Sequence, residues 1–274
     1  MKVYDGSKDV LFAFNIWDFE SAMAVMEAAK ETTGKVILQT SMSTYKKLPH
    51  KEFRSFVTQF SDNQGIRAWL HLDHCTDVQM LKNAVDCGWD SVMLDYSDRN
   101  LKENIEVVKQ ITEYVQGSDC LIEAEIGRVQ GVEDNVGSRE GNIATEHAID
   151  TFMEQTNVDL IAVAFGNAHG IYEGTPDLHY NLVEYTTERY GKPFVVHGGS
   201  GLSDDVLIKL MTIQNVKKIN ISTDLKLAYR QGILEAKEKD LIREKGFQTT
   251  AVEECIFRSV KETAKAKLML TENL

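Results

Sequence analysis

The chain has 274 residues and a formal net charge of −12, a length that suits one large domain or two small ones. The acidic balance argues against a nucleic-acid partner, which needs a basic surface, but leaves room for a local pocket that takes a small phosphate. No apolar run approaches the roughly 20 residues of a membrane span, and residues 1–10 lack the hydrophobic core of a signal peptide. Cys75, Cys87, Cys120 and Cys255 show no CxxC spacing and read as reduced thiols of a cytoplasmic protein. Nothing in the chain resembles a linker, a repeat or a low-complexity tract, so 1–274 is expected to form a single domain.

Eight short apolar runs follow one another, at 10–14, 35–39, 67–72, 90–94, 120–126, 159–165, 193–196 and 217–221. Helical spacing fills the stretches between them. Ala22, Val25, Met26 and Ala29 make one stripe over 19–30, and Met80, Leu81, Ala84 and Val85 another over 78–87. Ile105, Val108, Ile111 and Val115 make a third over 101–115. Helices are also expected at 148–155, 178–190 and 204–212, with another at 225–239 after the last run and a helical extension towards the C-terminus. Gly88 and Gly191 stand where glycine commonly stops a helix. This alternation is the pattern of an α/β fold, the (β/α)8 TIM barrel, whose functional residues sit at the C-terminal ends of the strands. A doubly wound open sheet is the alternative.

The strand ends are polar. They carry Asn15, then Gln39 and Ser41, Asp73 and His74, Asp95 and Ser97, Glu123 and Glu125, Asn167 and His169, His197, and finally Asn220 and Thr223. In a barrel all of these converge on one rim. Within run 67–75, His71 and Asp73 share one face of a strand. His74 lies at or just past the strand end, where the chain can turn its imidazole back over the same opening. His169 and His197 each follow a strand and precede a glycine. Three strand ends with one histidine each can supply three neutral imidazoles to one metal, and three protein ligands with an open position is the catalytic zinc pattern.

Gly198, Gly199 and Ser200 follow the seventh strand, and residues 220–224 the eighth. These are the loops where many barrels bind phosphate, because glycine lets N–H groups approach an anion and the next helix aims its N-terminus at it. Glu123 and Glu125 point the same way, so at most one of them can approach a metal without costly repulsion. Residues 127–141 contain Gly127, Gly131, Gly137 and Gly141 and make too long a connection for an ordinary βα loop. The segment reads as a mobile lid able to carry an acid, such as Glu133, into the site. Lys217 and Lys218 begin the eighth strand, at the opposite face of the barrel. A Schiff-base mechanism wants a lysine inside the site, so the metal-assisted route is preferred.

The ordered set Ala13-Phe14-Asn15, Leu70-His71-Leu72-Asp73-His74, Glu123-Ala124-Glu125-Ile126-Gly127, Ala168-His169-Gly170-Ile171-Tyr172, Val196-His197-Gly198-Gly199-Ser200-Gly201 and Asn220-Ile221-Ser222-Thr223 resembles the class II, zinc-dependent ketose-bisphosphate aldolases. That family includes the fructose- and tagatose-bisphosphate enzymes. The resemblance covers roughly residues 13–230. It implies a (β/α)8 barrel that is usually a homodimer or homotetramer. It implies a lyase that cleaves a phosphorylated sugar to dihydroxyacetone phosphate and an aldehyde, with one catalytic Zn2+ and a monovalent cation, Na+ or K+, near the phosphate loops.

By position, the resemblance makes His74, His169 and His197 the zinc ligands, with Glu125 a carboxylate near the metal. Asp73 becomes the acid/base at the C4 oxygen, and Glu133 the lid acid that exchanges the dihydroxyacetone-phosphate proton. Gly170, Gly198, Gly199, Ser200, Asn220, Ser222 and Thr223 form the dihydroxyacetone-phosphate site, and Asn15 and Ser41 join them as substrate-binding residues of the rim. Fructose-type relatives tend to have Asp or Asn at the position of Ser222 and tagatose-type relatives a small Ala, so Ser222 resembles the tagatose side. Arg128, Arg139, Arg230 and Arg258 are candidate partners for a distal phosphate, and none falls in a matching motif. Three rivals remain: an aldolase for a less common sugar or sugar-acid phosphate, a metal-dependent hydrolase on a barrel, and a non-catalytic sugar-phosphate binding protein, which the presence of Asp73 and all three histidines disfavours. The hydrolase would favour a His-x-His pair on strand one, which here reads Leu11-Phe12-Ala13-Phe14-Asn15.

Overall fold

The computed structural model describes residues 9–133, 136–138, 141–172 and 174–273. The side chains at 132–133, 136–138 and 273 lie outside that description. In chain order the strands are β1 (Leu11–Asn15), β2 (Lys35–Thr40), β3 (Arg67–Cys75), β4 (Ser91–Leu94), β5 (Leu121–Ile126), β6 (Gly131–Glu133), β7 (Val136–Ser138), β8 (Leu160–Val163), β9 (Phe194–Val196) and β10 (Val216–Ile221). Eight of them close into a barrel in the order β1-β10-β9-β8-β5-β4-β3-β2, with every neighbouring pair parallel. Pairing of β1 with β10 closes the ring and excludes the open doubly wound sheet. All eight barrel strands fall where the apolar runs placed them.

The helices are α1 (Phe19–Lys30), α2 (Met42–Tyr45), α3 (His50–Gln64), α4 (Val78–Asp86), α5 (Leu101–Val115), α6 (Glu146–Gln155), α7 (Tyr180–Tyr190), α8 (Asp204–Thr212), α9 (Thr223–Glu238) and α10 (Thr249–Met269). Their starts have local causes. Asp18 accepts from the Ser21 N–H while the Ser21 hydroxyl accepts from the Asp18 N–H, which is a capping box for α1. Asp77, Asn100, Thr145 and Ser203 cap α4, α5, α6 and α8 through side-chain oxygens. Helix α3 was not anticipated between the second and third strands. Only Phe53, Val57 and Ser61 are buried along its polar length, and its starting residue Pro49 makes no side-chain cap. The αL residue Gly65 (φ 67°) closes it.

The apolar core lies mainly between the barrel and the helices, where Phe12, Phe14, Leu38, Leu70, Leu72, Val92, Ile122, Ile161, Val196 and Ile219 are buried. The alternate residues of the same strands face the axis. There the apolar material shrinks to two small clusters, Leu11, Ala13, Ile37 and Trp69, and Leu160, Ala162 and Val195. Apart from Met93, most of the remaining axial positions are polar, which prepares the rim for chemistry.

Two findings differ from the expectation. The long connection after β5 carries the antiparallel hairpin β6–β7, rooted by pairing of Arg128 with Asn142 and of Gln130 with Ala168. Lys218 is not at the far face of the barrel. It is the third residue of β10, its side chain points inward, and it is 1 % exposed.

At the C-terminus α10 packs on α9 and α1, and Lys261 and Lys265 reach Glu31 at 3.0 and 2.8 Å. Gly232 allows the close approach of α9 and α10: a Cβ there would lie 2.8 Å from Cys255 O and Ile256 N. Alanine normally stabilises a helix interior over glycine, but here it must push α10 away. Gly232→Ala is expected to lose about 1–3 kcal/mol of unfolding free energy, measured by urea denaturation. A gain in stability would show that α10 does not pack this closely.

Candidate active site

The site begins with a backbone irregularity. Along β3–β4, His71 pairs with Ser91 and Leu72 with Val92, but the next pairing is Cys75 with Leu94. One extra residue of β3 is therefore bulged out, and His74 takes φ 45°, the left-handed region that non-glycine residues rarely adopt. Strict alternation would turn His74 away from Asp73. The bulge instead brings both into the rim, so His74 lies within the strand rather than past its end.

His74, His169 and His197 each offer one nitrogen, and these atoms lie within 4.8 Å of one another. The His74 ring centroid is 4.9 Å from that of His169 and 4.7 Å from that of His197. His74 Nδ1 is 2.7 Å from Asp95 Oδ2, and its buried Nε2 has no hydrogen-bond partner. Asp95 is itself held by the Ser97 N–H and hydroxyl at 3.1 and 2.7 Å. His169 is half-buried, and its backbone N–H donates to Gln130 O at 2.7 Å, which ties this loop to the root of the hairpin. His197 is buried between two carboxylates, with Nδ1 2.7 Å from Glu125 Oε2 and Nε2 2.9 Å from Glu123 Oε1.

The electrostatics follow from burial and pairing. Burial disfavours an imidazolium at His74, but Asp73, Asp95 and Glu125 outweigh it and the pKa is raised well above the usual value. Burial also acts against charge on His197, yet Glu123 and Glu125 lift its pKa to about 9. His71 goes the other way: burial and the Lys218 charge hold it well below the ordinary range, so it is neutral. Burial raises the Glu123 carboxyl, but the Lys218 charge and the His197 hydrogen bond reverse the shift and leave it well below the carboxylate range.

Asp73 sits in a cage of amides. Gln39 Nε2 and Asn15 Nδ2 reach its Oδ2 at 3.2 and 3.4 Å, and Asn220 Nδ2 reaches Oδ1 at 3.3 Å. Gln39 also donates to Asn15 Oδ1 at 2.6 Å. The sequence placed Gln39 on the rim without a role. Its position at the end of the second apolar run, as Asn15 stands at the end of the first, was the available signal. Lys218, Ser91 and His71 were missed as members of the axial network, because an inward-facing lysine cannot be told from an outward one without the strand register.

The phosphate-loop residues come together. Gly198 has φ 65°, and a Cβ on it would run into Ala168 O. A Cβ on Gly199 would lie 2.6 Å from Ile219 Cγ2 and 2.8 Å from Asn220 O. The Ser200 hydroxyl accepts from the Ser222 and Asp224 N–H groups at 3.0 and 3.2 Å, which joins the two loops, and Thr223 opens α9 directly after Ser222. Gly170 has φ 94° with open space at its Cβ position. Ser41 caps α2, its hydroxyl engaged with the Thr44 N–H and with Ser43 Oγ at 3.4 and 2.9 Å. The side chain of Glu133 lies outside the described residues, and so does the whole of Arg139. Arg258 is tied to Glu235, whereas Arg128 lines a cavity of about 720 Å3 beside His169, Tyr172 and Asp177.

A closed parallel barrel that gathers three imidazoles, carboxylates and amides at the C-terminal ends of its strands is the architecture of a barrel enzyme with a centre able to bind a metal. The class-II fructose-bisphosphate aldolase family model matches residues 6–273, and the chain belongs to that family. It is an aldehyde-lyase, and membership implies a phosphorylated sugar as substrate. The YdjI aldolase of Escherichia coli K12 is similar in structure, with a TM-score of 0.80 and 25 % identity over 97 % of this chain and 93 % of that one. The fructose-bisphosphate aldolase of Campylobacter jejuni has the same fold, with a TM-score of 0.74 and 23 % identity over 95 % of this chain and 88 % of that one. Among the described residues no helix is long and apolar enough to cross a membrane.

Burial raises the Asp95 carboxyl, but its hydrogen bond and charge interaction with His74 and its bonds to Ser97 lower it further, for a net fall below its ordinary value. A depressed folded pKa stabilises the protein above the unfolded value of about 3.9, and the contribution disappears as pH falls through the folded value. Asp95→Asn should therefore cost the metal-free protein about 1.5–3 kcal/mol at pH 7. The gap from wild type should narrow as the pH drops below about 4. Urea unfolding across this range measures it, and a gap independent of pH would refute the assignment.

Proposed function

We propose that the protein is a zinc-dependent aldolase that reversibly cleaves a ketose phosphate or bisphosphate to dihydroxyacetone phosphate and an aldehyde. The observation that carries this reading is the convergence of the His74, His169 and His197 nitrogens within 4.8 Å. The donor set fits the ion. Three imidazoles with the neighbouring Glu125 suit zinc, and the Asp95–His74 bond leaves Nε2 buried and without a hydrogen bond, the orientation expected of a metal-binding histidine. When bound, zinc supplies a Lewis acid for the substrate oxygens.

The remaining work falls to the chain. Asp73, its carboxylate oriented by Asn15, Gln39 and Asn220, takes the proton from the C4 hydroxyl as the C3–C4 bond breaks. Glu133 is assigned the proton exchanged at carbon on the dihydroxyacetone-phosphate half. Gly170, Gly198, Gly199, Ser200, Asn220, Ser222 and Thr223 are assigned to the phosphate end, supported by the close packing at Gly198 and Gly199 and by the buried Ser222 hydroxyl, which has no hydrogen-bond partner. Asn15 and Ser41 are assigned to the substrate as further rim residues. On the family resemblance we add a Na+ or K+ ion near the phosphate loops, a homodimer or homotetramer, and a cytoplasmic setting.

The small Ser222 favours tagatose-configured over fructose-configured bisphosphate. The lack of a motif-matched cation favours tolerance of ketose 1-phosphates. Dialysis against a chelator should abolish cleavage, and zinc or cobalt should restore it. A coupled assay for dihydroxyacetone phosphate then gives kcat/KM for the two bisphosphates and the 1-phosphates. Full activity in the stripped protein sinks the zinc reading. A preference for fructose 1,6-bisphosphate, with a loss of about 1.5–3 kcal/mol per missing charged hydrogen bond for the 1-phosphates, makes it a fructose-type enzyme.

The two acids separate by isotope exchange. Asp73→Ala should stop carbon–carbon cleavage while proton exchange on dihydroxyacetone phosphate remains detectable, and Glu133→Ala should suppress exchange as well. Wild-type exchange in Glu133→Ala would remove that residue from the chemistry.

A further inference from the structure

Lys218 belongs to none of the roles assigned above. It lies on the inward face of β10 two residues before Asn220, and it is 1 % exposed. Its Nζ is 2.8 Å from Glu123 Oε2 and 3.0 Å from His71 Nε2. His71 Nδ1 is 2.7 Å from Ser91 Oγ, and the second oxygen of Glu123 is 2.9 Å from His197 Nε2. All five side chains are buried. Together they form a continuous chain across the barrel axis, from β4 through β3, β10 and β5 to the residue that follows β9.

The direction of each hydrogen bond is set by chemistry. An ammonium has donors only, so Lys218 donates to His71 Nε2, and His71 must carry its proton on Nδ1 and donate to Ser91 Oγ. Lys218 also donates to Glu123 Oε2 and so fixes the plane of that carboxylate. A carboxylate only accepts, so Glu123 Oε1 takes the Nε2–H of His197. Glu125 Oε2 accepts likewise from Nδ1 at 2.7 Å, so His197 donates from both nitrogens in the metal-free protein. Glu123 is anchored by the Lys218 ammonium, and Nδ1, beside Glu125, is the nitrogen that can give up its proton and present a lone pair. At His74 the arrangement is reversed, because Asp95 holds Nδ1 and Nε2 is left over.

We propose that Lys218 is a positioning residue of the metal centre, which through Glu123 commits Nε2 of His197 to a hydrogen bond and reserves Nδ1 for the metal. The inference rests on the metal reading of the previous subsection. Without the ammonium, Glu123 is a buried carboxylate free to turn, and the His197 ring loses the contact that orients it. Partners that orient a metal-binding histidine typically matter 10–100-fold in metal affinity.

The direct test uses the wild-type protein labelled with 15N-histidine and loaded with zinc. Long-range 1H–15N spectra should show His197 metallated at Nδ1 and protonated at Nε2, with His74 the reverse. Zinc on His197 Nε2 overturns the inference and leaves the metal centre standing. No zinc-induced shift at His74, His169 or His197 overturns the metal reading and the inference with it. In parallel, Lys218→Met should bind zinc 10–100-fold more weakly by competition with a chromogenic chelator. Should the single variant fail to fold, Lys218→Met/Glu123→Gln removes both buried charges and is expected to show the same weakening. Wild-type zinc affinity in either folded variant shows that Lys218 is only a counter-charge and refutes the proposal.

Discussion

The structure depends on pairing of the charge buried along the barrel axis. An ionised group removed from water is tolerated only when it is paired and hydrogen-bonded. Here Lys218, Glu123, Glu125, His71, His197 and Asp73 are all buried, and each faces a partner on a different strand. The partners meet only when the ring is closed in one register, with Lys218 beside Leu11 and Asn220 beside Ala13. A slip of one residue would turn Lys218 outward into the apolar layer and leave Glu123 buried without its cation. Strand register and site chemistry are therefore one constraint.

The same logic gives the axis its layers. Leu11, Ile37 and Trp69 lie in its apolar part. Lys218, Glu123 and His71 are charged or polar but satisfied by one another, so they stiffen the interior rather than react. Asp73, His74 and His197 lie above them, and here groups are left unsatisfied: His74 Nε2, Gln39 Oε1, Asn220 Oδ1 and Ser222 Oγ are buried without a hydrogen-bond partner. Buried polar atoms are rarely left so in the absence of a functional reason. Their concentration at one end of the barrel separates the reactive layer from the supporting one.

The bulge in β3 contributes an element that regular strands lack. A β-strand presents alternate residues to one face, so adjacent Asp73 and His74 cannot both face the axis on a regular strand. The extra residue and the left-handed φ of His74 remove that restriction, at the expense of local strain of about 1–3 kcal/mol. Such strain persists only where surrounding contacts over-determine the conformation, and the Asp95 bond to His74 Nδ1 and the amide cage around Asp73 are those contacts.

Periodicity and strand-end chemistry in the sequence determined the order of eight strands, most of the helices around them, the rim position of Asp73, His74, His169, His197, Glu125 and Asn220, and the order of motifs that marks the aldolase family; Glu123, read as a rim residue too, lies in the layer below. These are local properties: apolar runs, glycine stops and polar residues where a run breaks off. Helix α3 escaped because a polar helix with a narrow buried stripe resembles a solvated segment, and hairpin β6–β7 because its glycine-rich strands are short. Tertiary structure alone decided that Lys218 enters the axis, that Gln39 joins the cage around Asp73, that His74 turns inward at a bulge, and that both Glu123 and Glu125 face His197. Each of these depends on which strand lies opposite and in what register, a relation between residues as far apart as His71 and Lys218. No local pattern encodes it, because it exists only once the ring is closed.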